Sequence, residues 1–438
     1  MRRSLPPKLN GRRYPALRMA EIRPFRGTRY SPAAGPLGTL VAPPYDVLSD
    51  RQRQAFANES EHNIVHLTLP EGKPDDRSKH VKYMRSAAAL AQWRKEGAFV
   101  PDPEPRFYRY VQTFSAEEYG EPVTRTSLIV VIKVEPFENG TVLPHEQTFP
   151  KHKEDRLRLL EATRTHLESI FGLYDDPDGS VHHLVSSAPI TESLECDVDD
   201  VLHRLEPIAE SGSLGALVEA MADKRIWIAD GHHRYETALN FRSAAGARDH
   251  PIAEDYIEIA LCSMSDPGLI LLPTHRIVPK LLSMSGTELK EAVGNYFSIQ
   301  PHPAEGLWAE LNRPGPEHRF GVVLGDGIGL LLTPTTDLNS GGPGSDRLRQ
   351  LDASILHSVL LPALGVTNPE QIEYTRSVSD AVAAGREGKG ASFLMLPPSV
   401  QDMKDVALNG ERMPQKSTYY YPKIFSGFVA WSLSDFEP

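Results

Sequence analysis

Residues 224–239 have the sequence KRIWIADGHHRYETAL, and this stretch organises the predicted fold. The apolar run at 226–229 predicts a buried strand, and residues 235–241 predict a helix, with Gly231 between them. A strand that turns sharply through a glycine into a helix leaves several backbone N–H groups directed outwards, at the positive end of the helix dipole. The stretch therefore predicts an anion-binding turn.

The side chains of the turn fit the same chemistry. Arg234 offers a planar fork of donors that suits phosphate or carboxylate. His232 and His233 add donors whose charge can change near physiological pH. Asp230 is the group of the turn that can accept a proton or bind a metal ion. From the residues alone, the alternative is an ordinary Asp-Gly turn with surface histidines.

The composition sets outer bounds on the class of protein. The chain has 438 residues, of which 40% are hydrophobic and 24% charged, as expected for a soluble globular protein of two or three domains. A formal net charge of −11 disfavours a protein that mainly grips nucleic acid. Two cysteines, Cys196 and Cys262, exclude a disulfide framework and favour a reducing cytoplasm.

Neither a membrane span nor a signal peptide is predicted, because no apolar run is long enough. Residues 1–18 are basic and contain prolines, so we expect a disordered tail. Translation would then begin at Met1 or at Met19.

A second polar segment follows the predicted strand end at 40–42. Pro43 and Pro44 fix an extended turn, so Tyr45 and Asp46 lie on a stiff segment ahead of a capping box that opens a helix. This position suits a ligand-binding residue. The alternative is that Asp46 caps the turn.

Further polar clusters interrupt the predicted helices and strands. Residues 145–156 precede or open a helix predicted from residue 153 onwards, and the zinc-protease motif H-E-x-x-H is absent because residue 149 is phenylalanine. The pair at 275–276 interrupts an apolar strand, where it faces either the same pocket as Arg234 or water. The last polar block, 413–426, contains Lys416 and Lys423 as candidate phosphate or substrate contacts.

The remaining periodicities predict both strands and helices. Strands are predicted at 62–69, 106–114, 124–135, 254–264 and 393–396, with a hairpin at 319–333. Helices are predicted at 78–97, 287–297, 352–361 and 400–408. The mixture predicts an α/β or α+β protein with a mixed sheet.

Several blocks together resemble a large family of bacterial proteins known mainly as a domain of unknown function. IADGHHRYETAL at 228–239 resembles its signature. VAPPYDVLS at 41–49, LPHEQTFPKHKEDRLRLLEATRTH at 143–166, LPTHRIV at 272–278 and ERMPQKSTYYYPKIFSG at 411–427 resemble its other blocks in the same order. The resemblance covers nearly the whole chain from about Met19 onwards.

The element D-G-H-H-R at 230–234 also resembles the turn of the archaeal free-serine kinases, which belong to the ParB and sulfiredoxin-like superfamily. In those kinases the turn and the following helix hold nucleotide phosphates. The resemblance implies a ParB/sulfiredoxin-like core in residues 19–289 with an inserted helical segment, and a C-terminal α+β portion at 290–438. The partition proteins of the superfamily have a G-E-R-R turn instead.

The implied function is a nucleotide-dependent small-molecule kinase that uses ATP or ADP with Mg²⁺ and phosphorylates a hydroxyl, with free serine as the implied acceptor. The implied catalytic residues are Asp230, which also binds the metal, Glu146 and His233. The implied nucleotide contacts are Gly231, His232, Arg234, Arg156 and Lys151. The implied substrate contacts are Asp46, Tyr45, His145, His275, Arg276 and Lys416.

Two other functions stay open at this point. One is a ParB-like nucleotide-binding regulator, and the other is a hydrolase of phosphorylated metabolites. In each case the expected partners are a nucleotide or a small molecule, without a membrane and with DNA disfavoured. The sequence leaves a homo-oligomer open.

Overall fold

The computed structural model describes residues 20–115, 121–146, 148, 150–209, 211–338, 341–368, 371–414 and 416–438, without the side chains of residues 150–152 and 211. The strands are β1 (Ile22–Arg23), β2 (Gly27–Tyr30), β3 (Phe99–Pro101), β4 (Tyr108–Phe114), β5 (Val123–Lys133), β6 (Val142–Leu143), β7 (Thr165–His166), β8 (Ile170–Tyr174), β9 (Leu194–Val198), β10 (Val201–Pro207), β11 (Ile226–Asp230), β12 (Tyr256–Ser263), β13 (Ile270–Leu271), β14 (His275–Val278), β15 (Phe297–His302), β16 (Phe320–Val323), β17 (Gly329–Pro334), β18 (Glu373–Thr375), β19 (Ala391–Leu394), β20 (Tyr420–Tyr421) and β21 (Ala430–Ser432).

The α-helices are α1 (Asp50–Glu59), α2 (Val65–Thr68), α3 (Val81–Lys95), α4 (Pro150–Thr163), α5 (Ser180–Ser187), α6 (Ser211–Met221), α7 (His232–Ala245), α8 (Gly286–Val293), α9 (Leu307–Leu311), α10 (Asp346–Arg349), α11 (Asp352–Ile355), α12 (Leu361–Ala363), α13 (Val378–Arg386) and α14 (Val400–Leu408). A π-helical segment, Leu356–Leu360, joins α11 to α12. Among the residues that the structure describes, none of the helices is both long and apolar enough to cross a bilayer.

The chain forms two compact units. The N-terminal unit contains the described residues before 145, then 148–270 and 422–438, and the C-terminal unit contains 271–421 with the segment at 145–146. The units divide at residue 270, whereas the sequence-based prediction puts a domain boundary after residue 289.

The N-terminal unit is built on a mixed sheet, which confirms the predicted fold class. In the described part of the chain its nine strands include the order β6-β11-β8-β12-β5-β4-β10-β9, with β1 against β5. β11 is parallel to β6 and antiparallel to β8, and β8 is parallel to β12. Buried isoleucines such as Ile170, Ile226, Ile228 and Ile259 fill the adjoining core. β11 is thereby fixed on both sides by hydrogen bonds, so the position of its carboxyl end is well defined.

A smaller sheet in the same unit has the order β3-β2-β21-β7. Its core is shared with the helical segments before β3 and with α4, and contains Leu40, Phe56, Trp93 and Leu159. The ring of His166 stacks on Trp431 with centroids 5.5 Å apart. This sheet brings the chain's last residues beside the segment that follows α4.

The C-terminal unit contains an antiparallel sheet with the order β15-β17-β16-β19-β14-β18. Leu289, Phe297, Phe320 and Phe393 are buried in its core. The predicted hairpin at 319–333 is confirmed by β16 and β17, and the predicted helix at 400–408 is confirmed by α14. These elements are local in sequence, so their periodicity alone is sufficient to predict them.

Two predicted elements are wrong in type or length. The strand predicted at 62–69 is instead a buried turn of helix, α2, because Asn63 Oδ1 accepts a hydrogen bond from Val65 N at 3.0 Å and stabilises the helical start. The helix predicted at 287–297 ends at Val293 and β15 begins at Phe297. Gly294 is the C-cap of that helix, and its N–H donates to Lys290 O at 2.8 Å.

Candidate functional site

The strand-turn-helix predicted at 224–239 is confirmed by β11, Gly231 and α7. Gly231 has φ 89°, a left-handed conformation that costs other residues energy. A Cβ at this position would also lie 2.7 Å from the side chain of Ile170. The backbone therefore turns through Gly231 with no room for a side chain, and Tyr235 N donates to Gly231 O at 3.0 Å to close the first turn of α7.

Replacing Gly231 with alanine is expected to lower the free energy of unfolding by about 2–5 kcal/mol, as the sum of the left-handed backbone cost and the overpacking against Ile170. Gly179, which precedes α5 as Gly231 precedes α7, is the matched control. It is also left-handed, with φ 67° and ψ 14°, but no atom lies within 4 Å of its added Cβ. Gly179→Ala should cost only about 1–2 kcal/mol. Urea unfolding measures both, and equal losses would contradict the steric part of the argument.

Asp230 lies between two cations at the end of β11. Its Oδ1 accepts a hydrogen bond from Lys423 Nζ at 2.6 Å, and its Oδ2 accepts one from Arg234 Nη2 at 3.0 Å. Burial by itself raises the pKa of Asp230, but the charges of Lys423 and Arg234 outweigh it and hold that pKa well below its usual value. Asp230 is thus an ionised anchor for two cationic side chains.

Arg234 is held from a second side by the backbone. Its Nη1 donates to Ser169 O at 2.8 Å, and its side chain is only 10% exposed. Burial lowers the pKa of Arg234, but the negative charges of Glu168 and Asp230 raise it above its usual value. The fork is therefore charged and fixed in orientation before any ligand arrives.

A second cluster surrounds Glu168, a buried carboxylate. Its Oε1 accepts hydrogen bonds from Tyr45 N at 3.1 Å and from Ser426 Oγ at 3.2 Å. Its Oε2 lies 3.6 Å from Arg156 Nη1. The Arg156 guanidinium stacks on the Tyr45 ring, 3.9 Å from its centroid. Glu168 and Arg156 together hold the segment that carries Asp46.

Asp46 is exposed, in contrast to the other carboxylates of these clusters. Its charge contributes to raising the pKa of Arg234, so its carboxylate lies within electrostatic range of that guanidinium. Within the described ranges, no hydrogen bond to a protein group occupies the Asp46 carboxylate. An exposed carboxylate near a fixed arginine can accept a proton or bind a ligand group.

A small cavity of about 50 Å³ lies beside these residues and is lined by Arg156, His166, Glu168, Arg234 and Ile257, among others. Glu258 is fully buried nearby on β12 and accepts a hydrogen bond from Ser169 Oγ. Burial raises the pKa of Glu258 to about 8, although the Ser169 hydrogen bond and the charge of Arg234 oppose the rise. Ser169 therefore connects a protonated carboxyl to the fixed arginine.

The free energy of unfolding should fall as the pH rises from about 4.5 to about 8, to the extent that Glu258 contributes. In that window the unfolded carboxyl, with an ordinary pKa of 4.5, is ionised while the folded one is protonated, so unfolding releases a proton. Glu258→Gln mimics the protonated form and should lose this contribution. Urea unfolding at pH 5 and pH 8 should show that the free energy of unfolding of Glu258→Gln rises relative to that of the parent protein as the pH rises. The variant Glu291→Gln, at an exposed position, should show no such relative rise. A constant difference across this range would contradict the assignment.

Several predicted site residues of the C-terminal unit have well-defined partners within that unit. His145 is fully buried, and its Nε2 and Thr418 Oγ1 lie 2.8 Å apart in a hydrogen bond. Glu146 Oε1 accepts a hydrogen bond from Lys416 N at 3.1 Å. His275 and Arg276 are 0% and 2% exposed, so the alternative that this pair faces water is wrong. Burial lowers the pKa of His275 to about 4.

A family model described as "Protein of unknown function (DUF1015)" matches residues 22–354, more than half of the chain. The chain belongs to this family. No curated protein sequence compared with it matches significantly.

Solved structures similar to this DUF1015 chain share little sequence with it. Free serine kinase, as a mutant in complex with ADP, is 13% identical over 67% of this chain and 87% of its own, with a TM-score of 0.34. A conserved hypothetical protein from Pyrococcus furiosus is 15% identical over 70% of this chain and 97% of its own, with a TM-score of 0.35. SbnI with a C-terminal truncation, from Staphylococcus aureus, is 11% identical over 71% of this chain and 90% of its own, with a TM-score of 0.36.

Several residues of the predicted site lie in the N-terminal unit of this DUF1015 chain: Tyr45, Asp46, Arg156, Asp230, Gly231, His232, His233 and Arg234. His232 is buried at the start of α7, and His233 O accepts a hydrogen bond from Thr237 Oγ1 at 2.8 Å. The side chain of Lys151 lies outside the described residues. In the described part of the chain, no group of three or more His, Cys, Asp or Glu side chains is arranged to hold a metal ion. The metal role of Asp230 stays a prediction.

Sequence reasoning missed Glu168, Ser169 and Ser426, and it named Lys423 without its partner. Glu168 follows Leu167 and precedes Ile170 by two positions. A carboxylate beside a strongly apolar segment is a signal that could have identified it, because such a residue is rarely buried without a cation. Ser169 acts partly through its backbone carbonyl, which no sequence pattern reveals.

Proposed function

We propose that the protein is a nucleotide-dependent kinase that phosphorylates a hydroxyl group of a small molecule. The proposed phosphate donor is ATP or ADP with Mg²⁺, and free serine is the proposed acceptor because of the resemblance of residues 230–234 to the free-serine kinases. The observation that carries the proposal is the fixed, charged fork of Arg234 at the start of α7. It lies within electrostatic range of an exposed carboxylate, Asp46.

The start of α7 is the proposed phosphate-binding element. Its first amides follow the glycine turn, and the helix dipole favours an anion there. Arg234 is held by Asp230 and by Ser169 O, so its orientation costs little entropy when phosphate binds. Among the described residues, its buried Nε has no hydrogen-bond partner, which leaves donor capacity on the guanidinium.

A bound nucleotide would need an accompanying cation to balance its negative charge at the proposed site. Arg156, Arg234 and Lys423 are already paired with Glu168 and Asp230, so these three side chains offer little excess positive charge to a polyphosphate. Bound Mg²⁺ would neutralise phosphate oxygens, and it commonly needs only one or two protein carboxylates. Asp230 is the carboxylate that could hold it. Asp230 would first have to release a cation from one of its two oxygens.

Asp46 is the proposed proton acceptor. In the transfer step, the acceptor's hydroxyl oxygen bonds to the terminal phosphorus of the nucleotide while the bond from that phosphorus to the bridging oxygen breaks. The hydroxyl proton passes to the Asp46 carboxylate, and the products are a phosphomonoester and the shortened nucleotide. Arg234 orients the transferring group, with its own position fixed by Asp230. Glu146 and His233 keep their predicted catalytic roles as proposals.

Calorimetric titration with ATP, ADP, CTP and GTP, each with and without Mg²⁺, tests the proposal first. Saturable binding of at least one nucleotide is expected, followed by transfer of phosphate to serine in a product assay. Binding without transfer to serine or to other hydroxyl compounds would favour a nucleotide-binding regulator. The absence of binding by any nucleotide would overturn the kinase and leave a hydrolase of phosphorylated metabolites to be tested.

A further inference from the structure

The C-terminal unit contains a cleft of about 220 Å³ that is lined by none of the nucleotide contacts named above. Its polar lining includes Arg276, His318, Arg347, Asp352 and Asp402. Part of its wall is apolar and is formed by residues 395–398, a Met-Leu-Pro-Pro segment that follows β19. The cleft therefore combines a hydrocarbon surface with several charges.

Most of the charges in the cleft pair with each other. Arg347 forms an ion pair with Asp402. His318 Nδ1 lies 2.7 Å from Asp352 Oδ1, and this hydrogen bond raises the pKa of His318 above its usual value. Among the described cationic side chains that line the cleft, Arg276 is the one without an ion-pair partner.

Arg276 is 2% exposed, yet within the described ranges no carboxylate lies within ion-pair distance of it. Its Nη1 donates to Thr274 O and to the weak acceptor Met395 Sδ, and its Nη2 donates to Lys416 O at 3.3 Å. Its buried Nε has no partner among the described residues. Burial lowers the pKa of Arg276 to about 10, because the charged form is poorly solvated there.

A buried cation without an anion is destabilising, and proteins rarely keep one unless it has a role. Arg319 in the same unit is the comparison. It is also buried, without a carboxylate partner or a partner for its Nε among the described residues, but its Nη2 donates to Leu311 O at 2.9 Å and to Arg313 O, so it caps the carboxyl end of α9. Arg319 does not line the cleft. Hydrogen bonds to the end of α9 thus account for Arg319, whereas Arg276 packs on the Tyr374 ring, 5.6 Å from its centroid, and lines the cleft.

We propose that this cleft binds a small organic acid whose carboxylate pairs with Arg276 and whose hydrocarbon part lies against residues 395–398. A carboxylate is planar and matches the guanidinium fork. Glu317, Asp352 and Asp402 also line the cleft, so a doubly charged phosphate would be repelled where a single carboxylate is balanced. The proposal stands independently of nucleotide binding.

Calorimetry with butyrate on the full-length protein tests the proposal, with butyramide as a neutral probe of nearly equal shape. Butyrate should bind, and Arg276→Met should weaken it by about 10- to 100-fold, the value of a charge-assisted hydrogen bond. Arg319→Met should retain the parent affinity. Inorganic phosphate, added in a separate titration, should bind more weakly than butyrate.

A second variant keeps the test decisive if Arg276→Met does not fold. Gln350 lines the cleft and is half-buried, so Gln350→Trp should fill the space and abolish butyrate binding with the fold intact. Butyrate binding that survives Gln350→Trp would overturn the location. Equal binding of butyrate and butyramide, stronger binding of phosphate, or no binding of butyrate would each overturn the assignment to a carboxylate.

Discussion

Replacing Arg234 with alanine is expected to weaken nucleotide binding by about 10- to 100-fold, as estimated for the loss of charge-assisted hydrogen bonds to phosphate. The loss should be this large because the fork is already oriented by Asp230 and Ser169 O, so no other side chain can take its place without reorganising. Arg234→Lys should recover part of the affinity, since it restores the charge but not the fork. Calorimetric titration with the nucleotide that binds best, in the presence of Mg²⁺, measures the affinity of the parent protein, Arg234→Ala and Arg234→Lys.

Arg242 provides the control on the same helix. It lies in the last turn of α7 and forms an ion pair with Asp255, so Arg242→Ala should leave nucleotide affinity unchanged. Circular dichroism should verify that each variant is folded. If Arg234→Ala binds nucleotide as tightly as the parent protein, the phosphates do not lie at the start of α7.

Replacing Asp46 with asparagine is expected to reduce turnover by about 10²- to 10⁴-fold, the usual contribution of a general base, while nucleotide affinity stays nearly constant. Asparagine preserves the size of the side chain but cannot accept the hydroxyl proton. The measurement is phosphate transfer under saturating substrates, combined with calorimetry. Asp50→Asn is the control, because Asp50 is an exposed carboxylate in the first turn of α1, four residues further along the chain.

The same assay on Asp230→Asn distinguishes the two carboxylates. Asp230 anchors Lys423 and Arg234, so its loss should disturb nucleotide binding as well as turnover. Asp46→Asn should affect turnover alone. Full activity in Asp46→Asn together with an inactive Asp230→Asn would transfer the role of proton acceptor to Asp230.

The sequence by itself determined the elements whose causes are local. β11, Gly231 and α7 follow from an apolar run, a glycine and a helical segment that are contiguous in the chain. The same holds for the hairpin of β16 and β17. Turn conformation and side-chain periodicity depend on neighbouring residues, so a pattern of a few residues was sufficient. At the start of α2 the local pattern failed, because Asn63 is held by hydrogen bonds to Thr39 O and Val41 O, more than twenty residues earlier, while its Oδ1 accepts a hydrogen bond from Val65 N.

Only the tertiary structure decided which charges meet. Asp230 and Lys423 are separated by almost two hundred residues, yet their side chains form an ion pair. Glu168 joins Tyr45, Arg156 and Ser426, which lie on three other segments. The pairing makes Asp230 an anchor and leaves Asp46 as the exposed carboxylate, a difference that two aspartates in a sequence cannot reveal. The physical reason is that burial and countercharge set the chemistry of an ionisable group, and both are properties of the folded chain.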